Sequence, residues 1–222
     1  MDKQGILVIN KPAGITSHDV VGFIRRKFNM RRVGHAGTLD PLATGVLIIL
    51  LGQSTKLFDA FVAFDKAYRA TLRLGLKTVS ADIMGATLEQ KPFDAVKQAD
   101  VEKAFTQFTG DIEQLPPMVS AVKHKGERLY KLSRKGVNVE RTARRVRIDA
   151  LNLLSFNLPD VGFFMACSKG TYVRQLAEDV GDVLGCGACI SQIERTKVGP
   201  YTIDQSVTLE ELNEGHIIPF RA

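Results

Sequence analysis

The sequence predicts an α+β fold built on a mixed sheet, and three observations carry that prediction. Apolar runs at residues 6–9 and 46–50 have the length of buried strands, and residues 66–74 alternate apolar and polar with period two. Apolar side chains recur at helical spacing within 20–28, 101–108 and 172–184. The two kinds of element follow one another without the regular βαβ beat of a doubly wound sheet.

Taken in order, residues 6–10 form the first strand and Lys11-Pro12-Ala13-Gly14 turns the chain. Thr16 or Ser17 caps a helix whose stripe is Val20, Val21, Ile24 and Phe28, with Arg25, Arg26 and Lys27 outside it. The stretch from Gly34 to Gly45 reads Gly-His-Ala-Gly-Thr-Leu-Asp-Pro-Leu-Ala-Thr-Gly. Its three glycines permit positive φ or close backbone approach. Pro41 fixes its own φ and biases Asp40 toward an extended backbone. A carboxylate on a stiff loop beside a core strand has the setting of a catalytic group. It equally has the setting of a turn former that accepts backbone hydrogen bonds.

Ser54 is expected to cap a further helix, with Lys56 one position before Leu57 and with Leu57, Phe61 and Val62 inward. In the strand at 66–74, Tyr68 shares the apolar face with Ala70, Leu72 and Leu74, which makes it a core residue by pattern. A helix at 100–108 stops at Gly110, and Leu115-Pro116-Pro117 breaks structure. Strands resume around 146–150 and at 161–167. Ser168-Lys169-Gly170-Thr171 opens a helix that runs through Tyr172 to Leu184 and closes at Gly185. Arg174 lies on its first turns, where a cation opposes the helix dipole, so it has either a specific anionic partner or a place in solvent. A strand at 190–198 follows, and Thr208-Leu209-Glu210-Glu211 reads as the capping box of a short last helix.

The 222 residues suffice for one large domain, or a domain with an inserted arm. No apolar stretch approaches the roughly 18 residues of a membrane span. The opening residues lack a signal-peptide core, so a cytoplasmic protein is expected. The net charge of +6 is unevenly spread: residues 121–147 hold ten Lys and Arg against Glu127 and Glu140, leaving the remainder at −2. Arg25, Arg26, Lys27, Arg31 and Arg32 make a second basic knot. Such concentration points to a polyanion, and counterion release from nucleic acid would supply affinity. The basic arm holds too few apolar residues for a core of its own and is expected to be ordered by its partner. Cys186 and Cys189 have metal-ligand spacing, but neither Cys167 nor the four histidines complete a set, so small buried thiols are expected. Phosphate-loop, nucleophile-elbow and HExxH signatures are all missing.

Several motifs, in order, resemble the tRNA pseudouridine synthases of the TruB type. They are Lys11-Pro-Ala-Gly-Ile-Thr-Ser17, the Gly34–Gly45 stretch, Ser54-Thr-Lys56 and Lys66-Ala-Tyr68. Further along come Pro116-Pro-Met-Val-Ser-Ala-Val-Lys123, Ser168-Lys-Gly-Thr-Tyr-Val-Arg174 and Arg195-Thr-Lys-Val-Gly199. The resemblance implies a mixed, mainly antiparallel central sheet flanked by helices. It implies one catalytic domain over 1–222, with an RNA-clamping arm at about 116–147. The implied reaction breaks the N-glycosidic bond of a uridine, rotates the base and forms a C–C bond at C5, without metal or cofactor.

Asp40 matches the family's essential aspartate, which must be ionised to attack the ribose C1′ or to take a proton from C2′; the two routes stay open. By the same resemblance Arg174 pairs with Asp40 and favours its charged form. Tyr68 stacks on the target base and is a candidate for moving the C5 proton. Tyr172 supports the pocket and the Asp40 side chain, and Lys56 helps to hold the charged network. The base must be flipped out of its stack, and His35 matches the residue that fills the vacated space; the residues alone also allow a turn histidine capping the Gly34 backbone. Arg128, Lys131, Arg134, Arg141 and Arg144 are the expected phosphate contacts. Many relatives carry a C-terminal RNA-binding module of the PUA type, for which this sequence leaves no room, so RNA grip is expected to rest on the catalytic domain and its arm. The expected substrate is the T-arm of tRNA at position 55, with no obligatory protein partner and no membrane. Charge alone would also allow a non-catalytic RNA-binding or tRNA-folding protein.

Overall fold

A computed structural model describes residues 3–118, 123–124, 126–128, 137 and 139–220, with backbone alone at 123–124 and 127–128. In chain order its first elements are β1 (Gly5–Lys11), α1 (Ser17–Lys27), β2 (Val33–Ala36), β3 (Thr44–Leu51), a 3-10 helix (Gly52–Leu57), α2 (Phe58–Val62) and β4 (Lys66–Leu74). Next come β5 (Leu76–Thr78), β6 (Thr87–Gln90), α3 (Gln98–Gln107), β7 (Gly110–Gln114), β8 (Lys123–His124) and β9 (Glu127–Arg128). The last are β10 (Arg144–Asn157), β11 (Asp160–Cys167), α4 (Val173–Val183), β12 (Ala188–Val198) and β13 (Tyr201–Thr202). They group into two compact units, Met1–Arg69 with Ile193–Ala222, and Ala70–Gln192. The chain passes from the first to the second within β4 and returns within β12.

In the first unit β3 is the hub. β1 runs antiparallel along its whole length, from Gly5 opposite Leu51 to Lys11 opposite Gly45. β2 pairs antiparallel with residues 48–51 of β3, and β12 joins in parallel at Thr44 and Gly45. The hub is an unbroken apolar run because both its faces are covered. Leu47, Ile49 and Leu51 pack with Val20, Val21, Ile24 and Phe28 of the α1 segment, while Val46, Ile48 and Leu50 pack with Phe61 of α2. Thr16 caps α1: its side chain accepts from Asp19 N–H, and Asp19 accepts in return from Thr16 N–H at 2.8 Å. Gly45 has φ +97°, and a Cβ there would lie 2.3 Å from the Arg195 carbonyl oxygen. Gly45→Ala should therefore cost on the order of 2–5 kcal/mol, read as a lower denaturant midpoint.

The second unit orders the end of β4 beside β11, then β10 and β7. β10 and β11 form a long antiparallel hairpin, and β7 pairs antiparallel with the start of β10. Phe105 of α3 meets Phe163 of β11 edge to face at 5.8 Å. The expected α+β fold with a mixed, mainly antiparallel sheet is what the strands form. Tyr68, Ala70, Leu72 and Leu74 are all buried, as the alternation requires.

Some local expectations fail. Ser54 caps no helix: it lies inside the 3-10 helix, buried, with its hydroxyl donating to Phe220 O at 3.5 Å. Thr208 and Glu211 make only half of a capping box: Thr208 Oγ1 accepts from Glu211 N–H at 3.3 Å, while the return bond is from the Thr208 hydroxyl to the Glu211 carboxylate at 2.8 Å, and the chain makes only a turn there. Asn213 restarts the chain as a separate 3-10 turn before a helical nucleus can propagate. Tyr172 is the N-cap residue of α4 rather than its first turn. The end of the basic arm, from Arg144 on, is strand β10. The three cysteines are buried free thiols, and burial pushes the Cys189 thiol up to about 11. Among the described residues no group of three or more His, Cys, Asp or Glu is arranged to hold a metal ion, and no helix is long and apolar enough to cross a membrane.

Candidate active site

The loop between β2 and β3 carries Asp40, and its backbone is gripped at nearly every residue. Leu39 and Ala43 are buried in the core on either side of Asp40. Ser17, at the start of α1, accepts from Leu39 N–H at 2.8 Å and donates to Leu39 O at 3.1 Å. Ala43 N–H closes a turn onto Asp40 O, and Gly14 N–H donates to Pro41 O at 2.8 Å. The Asp40 carboxyl residue itself is half-buried.

Two buried cations complete the grip. Lys11 is fully buried, and its ammonium donates to Pro12 O (2.7 Å), Ile15 O (2.8 Å) and, more weakly, Pro41 O (3.5 Å). Arg195 of β12, 2% exposed, donates Nε to Val46 O at 2.8 Å and Nη2 to Gly37 O at 3.1 Å, with Nη1 3.5 Å from Thr38 O. One guanidinium thus bridges the loop to the strand that follows it. Burial pushes Lys11 down from 10.5 to about 8; the Asp40 charge opposes this, the Arg195 charge adds to it, and Asp19 opposes it more weakly. Since the folded value lies below the unfolded one, the unfolded chain binds more protons between about pH 8 and 10.5. The Lys11 contribution to stability therefore rises with pH across that window. The difference in unfolding free energy between wild type and Lys11→Met should shift toward wild type from pH 8 to 10. A level or falling difference would show that the buried ammonium carries no such cost.

His35 lies on β2, half-buried and opposite Ile49 of β3, so the alternative of a turn histidine does not hold. Lys56 is exposed in the last turn of the 3-10 helix. Tyr68, on β4, is only 7% exposed.

In the second unit Arg174 is the second residue of α4 and 5% exposed. Its Nη1 donates to Ser80 O at 2.7 Å, and its Nε lies 3.8 Å from Asp82 Oδ2. An anion does therefore offset the unfavourable helix position. Asp82, 7% exposed, is itself held: Oδ1 accepts from Ser80 Oγ at 2.7 Å and from Met84 N–H at 3.1 Å. Tyr172 is fixed through its backbone by the buried Gln114 amide, which accepts from Tyr172 N–H at 2.8 Å and donates to Tyr172 O at 3.0 Å. Arg141 gives Nη1 to Pro116 O at 2.8 Å, bracing the base of the arm, and Arg144 is exposed opposite Gln114. Lys131, Arg134 and the side chain of Arg128 lie outside the described residues.

Sequence reading missed Asp82 and Gln114 and gave Lys11 and Arg195 no role. The Asp82 signal was present as a polar Ser-x-Asp turn ahead of Gly85. The others depend on burial, which no local pattern announces.

The model of the TruB family pseudouridylate synthase N-terminal domain matches residues 25–173. The chain belongs to the TruB family. A second model, the tRNA pseudouridylate synthase B C-terminal domain, matches 174–218 of this TruB-family chain. Asp40, Tyr68 and Tyr172 thus fall in the first match and Arg174 opens the second. The chain is 47% identical, over 98% of its length and 75% of the relative, to tRNA pseudouridine synthase B of Clostridium tetani. It is 46% identical to that of Burkholderia lata, over 95% of its length and 65% of the relative. Among solved structures it is similar to a chain of a Cbf5-Nop10-Gar1 complex, with TM-score 0.73 and 30% identity over 93% of its length. A chain of an H/ACA RNP bound to a substrate RNA containing 2'-deoxyuridine gives TM-score 0.69 and 26% identity, also over 93%. This TruB-family chain spans about half the length of those two solved chains, 52% and 51%.

Proposed function

We propose that this TruB-family chain isomerises uridine to pseudouridine in tRNA, at position 55 of the T-arm, with Asp40 acting at the ribose of a flipped nucleotide. The observation that carries the reading is the Asp40 loop. It bears the family's motif, and its main chain is held by Lys11, Ser17 and Arg195 around a half-buried Asp40. A group that must meet one ribose carbon gains most from such fixing, because a misplacement of about 1 Å can cost about 10²-fold in rate. Arg174 is its proposed cationic partner, a role supported by the shared motif and by a guanidinium already oriented through Ser80 and Asp82. Tyr68 is the proposed neighbour of the base, Tyr172 a support of the Asp40 side chain and Lys56 a member of the charged network. His35 fills the space that the flipped base leaves. Flipping costs a few kcal/mol, and phosphate contacts by Arg128, Lys131, Arg134, Arg141 and Arg144 would help to offset it.

The test is release of tritium from T-arm RNA labelled at C5 of uridine. Release at one uridine supports the reading. RNA binding without release would overturn it and leave a binding protein.

A further inference from the structure

Between Asp19 and Asp40 the chain has no acidic residue and carries Arg25, Arg26, Lys27, Arg31 and Arg32. All five are exposed, and among the described residues none of them forms an ion pair. Part of this charge has a local reason. Arg25, Arg26 and Lys27 occupy the last turn of α1, where cations complement the helix dipole. Arg25 also donates to Val33 O at 2.9 Å, and Lys27 to Leu209 O at 3.3 Å.

Arg31 and Arg32 lie beyond the helix and have no such reason. Arg32 is set in place: Nε donates to Thr55 Oγ1 at 2.8 Å and Nη1 to Gln53 Oε1 at 3.2 Å, while its own carbonyl accepts from Gly52 N–H at 2.9 Å. A guanidinium has five planar N–H donors. Two are spent on these side chains, which leaves Nη2 for an outside acceptor. Arg31 and Arg32 line an open cleft of about 530 Å³ with Gln4, Asn29, Gln53 and the backbone at Gly52. A cleft with two cations, amide side chains and no carboxylate suits a phosphate. The cleft also adjoins the start of β2, the strand that carries His35.

We propose that this cleft is a second RNA contact, which holds a backbone phosphate of tRNA away from the reacting nucleotide. The proposal rests on RNA being the substrate. A preset guanidinium loses little entropy on meeting a phosphate, so Arg32 fixes register while Arg31 adds charge.

The test compares wild type with Arg31→Gln/Arg32→Gln for affinity to a T-arm hairpin RNA across a salt series. Affinity should fall about tenfold or more, and the slope of log K against log salt should flatten by about 1. In kinetics the loss should appear in KM rather than kcat. Because Arg32 also braces Thr55 and Gln53, Arg31→Glu is the companion variant; its head makes no hydrogen bond within the described fold, and it should weaken binding in the same direction. Unchanged affinity and slope in both variants would overturn the proposal, and so would lost affinity at an unchanged slope. If the wild type binds RNA but releases no tritium, the catalytic reading fails while the salt series still decides the cleft.

Discussion

Asp40→Asn should lower turnover by about 10³-fold or more, while affinity for T-arm RNA stays within about threefold of wild type. The substitution keeps the shape of the side chain and removes its charge and basicity. The loop should not move, since its anchors are main-chain groups: Gly14 N–H on Pro41 O, and Arg195 on Gly37 O. Either route at the ribose, nucleophilic attack or proton removal, needs the anionic oxygens that the amide lacks. Tritium release under saturating RNA and a filter-binding titration on the same preparation would check both halves. A variant that kept a tenth of the wild-type rate would remove Asp40 from the chemistry.

Arg195→Lys should separate positioning from mere stability. Lysine keeps the buried charge but is a point donor on a flexible stem, unable to span Val46 O and Gly37 O in one plane. Leaving one buried carbonyl without its donor costs about 1–3 kcal/mol, so the melting temperature should drop while the protein stays folded. The rate effect should be larger than that loss suggests, because Asp40 sits between the two gripped ends of its loop. We expect kcat per folded molecule to fall by about 10–100-fold, with KM for RNA within about threefold. A variant with lowered melting temperature and wild-type kcat would make Arg195 a structural residue only.

What the sequence disclosed depends on whether the responsible interaction is local. The α1 cap, the two-faced burial of β3 and the alternation of β4 arise within a few residues of one another, and the pattern showed them. Ser17 reads locally as a cap alternative to Thr16, yet it serves Leu39, 22 residues away. The helix position of Arg174 leaves an anionic partner or solvent equally open; the anion beside it, Asp82, comes from the loop between β5 and β6. Lys11 looked like an ordinary turn lysine before a proline; only the packed fold shows it without solvent contact. Thr208 shows the converse: its sequence pattern is that of a capping box, yet only the bond from Glu211 N–H to the Thr208 hydroxyl has the capping form, and the stretch makes no helix.

Because the loop around Asp40 is gripped through its main-chain atoms, the exposed Thr38 enters the described hydrogen bonds through its carbonyl alone. All three native thiols are buried. A cysteine introduced at 38 would thus be the single accessible thiol of the whole chain, two positions from the carboxylate. A dye attached there should change its emission when RNA is added, if Asp40 meets a nucleotide as proposed.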